Sequence, residues 1–197
     1  YTPTSDDGCS WAPDNGRNVT ASSEVAQSMI CALTKAWPGS VPVATLVKAA
    51  NAIAPGEEGK EQLMAFIGAL IVGNAVHCRL DPMPLESAIP SRPKALPALR
   101  ALSGLGAATP VRLFSQWHYS LEPGVAASFL LPLLDGRNDR PPLVAALVAA
   151  VAEQRLSFDE DGKTIDDPQQ INRLATDAVT QALAWMSSNA MLAGGSR

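Results

Sequence analysis

Apolar positions recur at helical spacing through most of the chain. Val25, Met29, Ile30, Leu33 and Trp37 fall on one face, which predicts an amphipathic helix. Ser22 or Ser23 is placed to cap it, and Glu24 sits favourably in its first turn. Pro38-Gly39 stops it. A second helix, capped by Ser40 with Pro42 near its first turn, carries Val43, Leu46, Val47, Ala50 and Ile53. A polar turn from Gly56 to Gly59 leads into a third, with Leu63, Phe66, Ile67, Leu70 and Ile71 on its apolar face. After Gly73-Asn74 the period changes. Val76, Cys78 and Leu80 alternate with His77 and Arg79, which predicts a strand over 75–80.

Five prolines between residues 81 and 97 forbid regular structure there and mark a connector. A short helix follows over about 96–103, ended by Gly104 and Gly106, and an alternating stretch over 111–121 reads as a strand or extended arm. A helix then runs through Phe129, Leu130, Leu133 and Leu134 to a turn at Asp135-Gly136. Asp139 can cap the next helix, with Pro141 and Pro142 in its first turn and Leu143, Ala146, Leu147, Ala150 and Val151 as its apolar face. Asp161-Gly162 between two short β-like runs predicts a hairpin, and a long helix over 168–191 completes the pattern. Three helices with a strand, then helix, turn, helix and hairpin, are both winged-helix orders. The expected fold is therefore mainly α with short β-hairpins (α+β), as two winged-helix-like lobes in tandem, 23–92 and 93–197. Residues 1–22, rich in Thr, Ser, Asp, Gly and Pro, are expected to be a flexible lead-in or linker remnant, and 194–197 a frayed tail.

Composition supports this picture. Apolar residues make up 47% of the 197, enough for a core, but aromatics only 5%, so the core is Ala, Leu and Val. The net charge of -4, with singly scattered Lys and Arg, disfavours nucleic acid, which needs a basic stripe to neutralise phosphates. The longest apolar run, 63–76, is interrupted by Gly68, Gly73 and Asn74 and is too short to span a bilayer. Three cysteines, none in a C-x-x-C pair, suit a reducing cytoplasm. With no signal peptide and Tyr1 in place of an initiator Met, the chain reads as a piece of a longer one.

Candidate chemistry is sparse. His77 and Cys78, adjacent on a strand, would point to opposite faces and could not easily share a metal. Cys31 and Cys78 lie among apolar residues, which reads as buried packing; Cys9 is in the lead-in. No nucleophile elbow or phosphate-binding loop is present. Gly104-Leu105-Gly106 follows a helix instead of a strand, so it is read as a helix C-cap. Asp159, Glu160 and Asp161 lack the further ligands of a calcium loop and read as a solvated hairpin tip. The helix 142–152 is apolar almost all round, so it must be buried on both sides or form an interface.

Two stretches carry a resemblance. Ala32-Leu33-Thr34-Lys35-Ala36-Trp37-Pro38 with Val41-Pro42 and Leu46-Val47, and Leu130-Leu131-Pro132-Leu133-Leu134-Asp135-Gly136-Arg137-Asn138-Asp139-Arg140 with Leu143, resemble the C-terminal part of bacterial S-adenosylmethionine-dependent methyltransferases with a methyltransferase regulatory domain, some of them protein-lysine methyltransferases. In that family a Rossmann-like catalytic domain precedes a helical regulatory domain and a winged-helix end. No glycine-rich cofactor loop follows a strand here, so the resemblance implies no cofactor in this chain and S-adenosylmethionine for the parent enzyme.

The expected function is a non-catalytic accessory or substrate-recognition module acting by protein–protein contact. Its expected partners are the catalytic domain of the same protein, a protein substrate, or both, with homodimerisation left open and neither nucleic acid nor membrane involved. The expected interface residues are Trp37, Trp117, His118, Tyr119, Asp135, Arg137 and Arg140; no catalytic, cofactor or metal residue is expected. The alternatives are a tandem winged-helix regulator that binds DNA, which the charge opposes, and a stand-alone enzyme.

Overall fold

The computed structural model describes residues 2–3, 10–12, 18–81, 85, 88–104, 113–115, 117–160 and 162–193. Cys9, Leu105, Gly106, Val111, Asp161 and the tail 194–197 lie outside them. The chain divides into two compact units, Tyr1–Met83 and Pro84–Arg197.

In the first unit three short strands come first: β1 (Thr2–Pro3), β2 (Ser10–Ala12) and β3 (Val19–Thr20), antiparallel in the order β1-β2-β3. Part of the stretch expected to be a flexible lead-in is thus paired, with Ser10 opposite Thr20 and Thr2 opposite Ala12. Helices α1 (Glu24–Ala36), α2 (Val43–Ile53) and α3 (Glu57–Val72) follow. Ser23 caps α1, its Oγ accepting from the Ala26 N–H at 3.3 Å. Ser40 does not cap α2. A residue before proline is pushed out of helical geometry, so Val41 cannot join a helix, and Pro42 takes the cap position. Val25, Met29 and Ile30 of α1 pack with Leu46 and Ala50 of α2, and with Leu63, Ile67 and Leu70 of α3.

The strand expected at 75–80 is absent. Ala75 and Val76 pack on the core, but His77, Cys78, Arg79 and Leu80 are all exposed, so the alternation separates no buried face from a wet one. Cys31 and Cys78 are exposed free thiols, not buried packing residues. Cys31 projects from α1 away from the Val25–Met29–Ile30 stripe, and Cys78 sits in the segment that failed to become a strand.

The second unit holds the larger core. Its elements are α4 (Pro97–Ser103), β4 (Leu113–Phe114), β5 (Ser120–Leu121), α5 (Val125–Leu130) running into a 3-10 turn at Leu131–Leu133, α6 (Arg140–Ala152), β6 (Asp159–Glu160), β7 (Lys163–Thr164) and α7 (Pro168–Ser188). β4 pairs with β5 and β6 with β7, both antiparallel, so within the stretch expected as a strand or extended arm over 111–121 the described residues 113–114 and 120–121 pair with each other. Asp159 faces Thr164 and Glu160 faces Lys163, which leaves a two-residue turn with Gly162 at φ 76. Gly104 is the C-cap of α4. Leu130, Leu131 and Leu134 pack with Leu143 and Leu147 of α6, and with Val179, Leu183 and Met186 of α7. α7 ends at Ser188. Ala190 turns left-handed (φ 54), and Met191 folds back into the core with no exposed surface.

The molecule is α+β: helices dominate, strands are short and antiparallel, and α5, α6 and the β6–β7 hairpin follow winged-helix order.

Candidate functional site

The helix that precedes the hairpin wing is the one that enters the major groove in a winged-helix DNA reader. Here that helix is α6, and after Arg140-Pro141-Pro142 it contains only Leu, Val and Ala. Leu143, Leu147 and Ala150, spaced i, i+4 and i+7, are buried. On the opposite side Ala145, Ala149 and Ala152 are exposed, and Val144 and Val148 half-buried. Together with Asn172 and Thr176 of α7 they line an open groove of about 640 Å³, with Arg140 and Pro141 at its N-terminal end. Along α6 itself only Arg140, at the N-terminal end, carries a side chain that could donate to a base edge; Asn172 and Thr176 come from α7.

The wing is acidic. Asp159 accepts from Thr164 Oγ1 at 2.9 Å and from Ser157 Oγ at 3.2 Å, which rigidifies the hairpin. Gln170 Nε2 donates to Glu160 Oε2 at 2.9 Å and ties the hairpin to α7. Carboxylates held there would repel phosphates.

The stretch Leu130–Arg140 is a turn that launches α6. Leu130, Leu131 and Leu134 have no exposed surface. Asp135 Oδ1 accepts from the Arg137 N–H at 2.8 Å, Gly136 takes φ 86, and Asn138 Nδ2 donates to the Leu133 carbonyl at 2.9 Å. Arg137 also lies 3.8 Å from Asp135 Oδ2, but its side chain is 89% exposed, so this ion pair adds little. Asp139 holds the N-cap position of α6 without a side-chain cap bond.

The interface residues expected from sequence belong to several elements of the two units. Asp135 and Arg137 meet each other, and Arg140 alone of the seven lines the groove. Trp117, His118 and Tyr119 form the tip of the β4–β5 hairpin. There the buried Ser115 Oγ accepts from the N–H groups of Trp117 and Tyr119, at 3.2 and 3.1 Å. His118 is left-handed (φ 63) and exposed, Tyr119 is exposed, and Trp117 is half-buried. Trp37 belongs to the first unit, at the end of α1. Sequence reasoning named the helix 142–152 but not its groove residues Val144, Ala145, Val148 and Ala149, nor Asn172 and Thr176. The first four sit in a uniformly apolar helix, and the last two signal nothing until α7 is placed beside it.

Among the described residues no three His, Cys, Asp or Glu side chains converge as a metal set, and no helix is long and apolar enough to cross a membrane. The described strands are two or three residues long and all antiparallel. Among the described residues no parallel strand leads through a glycine loop into a helix, the arrangement of a dinucleotide-type crevice.

The family model described as PKMT, C-terminal winged helix domain, matches residues 91–191. Among solved structures, PKMT2 from Rickettsia typhi in complex with AdoHcy superposes with a TM-score of 0.73 at 14% identity, covering 93% of this chain and 36% of that one. A second structure of PKMT2 from Rickettsia typhi gives 0.66 at 13% identity, covering 78% of this chain and 32% of that one. This chain therefore spans about a third of the PKMT2 chains it resembles. No curated protein matches it.

Proposed function

Because this chain belongs to the family of PKMT C-terminal winged helix domains, we propose that it is a non-catalytic accessory module of a protein methyltransferase, acting by protein–protein contact. The observation that carries this reading is the open apolar face of α6, where a DNA reader would place polar or basic side chains. Its occupant in this reading is the preceding, catalytic part of the same polypeptide. The family is named for its C-terminal position, and most of each PKMT2 chain lies outside the matched share. That catalytic part would hold S-adenosylmethionine, in keeping with the AdoHcy bound by the Rickettsia typhi PKMT2. The chain's own contribution is then to bury Val144, Ala145, Val148 and Ala149 against it and fix its orientation. Burying apolar surface of this kind yields about 25 cal/mol per Å² before association costs.

Hydrogen–deuterium exchange tests the reading. The outward face of α6 is compared between this chain alone and the complete methyltransferase polypeptide. The reading expects exchange over 144–152 to slow at least tenfold in the complete protein; equal exchange would overturn it. In the complete protein Ala145→Glu should lower methyl transfer while leaving this module folded, because position 145 is exposed and Glu is a good helix former. Tight binding of S-adenosylmethionine to this chain alone would sink the accessory role. Retention on duplex DNA at moderate salt would favour a transcriptional regulator instead.

A further inference from the structure

No further inference is drawn: the strongest candidate, the exposed apolar strip of Met64, Ile71 and Val72 along α3 in the first unit, is an unpartnered helix face, and nothing in the structure shows what covers it.

Discussion

The backbone N–H of Ala95 donates to the carbonyl of Leu134 at 2.8 Å, and neither residue has exposed surface. On the other edge of the same segment, Leu96 N–H donates to the Met191 carbonyl at 2.9 Å and Ala193 N–H to the Lys94 carbonyl at 2.7 Å. Residues 94–96 thus stitch the turn before α6 to the stretch after α7. Leu134→Ala keeps the backbone bond but empties a fully buried site. It should cost about 2–5 kcal/mol. Urea unfolding followed by circular dichroism measures it, and a loss below about 1 kcal/mol would show that this junction is not a packed core.

Gly59 lies where α3 crosses α2. A Cβ there would collide with the carbonyl oxygen of Ala54 and lie 2.9 Å from that of Ala50, and neither backbone atom can swing aside. Gly59→Ala should therefore destabilise the first unit by about 1–3 kcal/mol, the range of overpacking, although alanine is the better helix former by about 1 kcal/mol. Thermal unfolding reads the sign directly; a raised midpoint would mean that the helices are not in close contact there.

Ser115 organises the aromatic hairpin tip by accepting two backbone N–H groups with one hydroxyl. Removing that oxygen with Ser115→Ala should cost about 1–2 kcal/mol, because amides near a buried position lose their acceptor. Ser120→Ala, at an exposed position of the same hairpin, should stay within about 0.5 kcal/mol. Equal effects would remove Ser115 from this role.

The two aspartates at helix starts should behave differently. Asp167 Oδ2 accepts from the Gln170 N–H at 2.9 Å at the start of α7, whereas Asp139 at the start of α6 makes no such bond. Asp167→Ala should cost about 1 kcal/mol and Asp139→Ala clearly less. Paired denaturation curves decide it, and a larger loss at Asp139 would contradict the geometry.

Local chemistry by itself determined much of this protein. Stripes at 3.6-residue spacing marked α1, α2, α3 and α7, because one buried face forces that period whatever it packs against. Asp-Gly marked the β6–β7 turn, because Gly162 supplies the positive φ such a turn needs. Sparse reactive side chains and negative charge narrowed the function before any fold was known. Tertiary structure alone decided which side of α6 stays open. That helix is Leu, Val and Ala all round, so only the placement of α7 separates core from groove. It likewise decided that 75–80 gains no strand partner, that Cys31 and Cys78 face solvent, and that Ala95 joins segments far apart in sequence. Each of these depends on contacts between residues too distant in the chain to leave a local pattern.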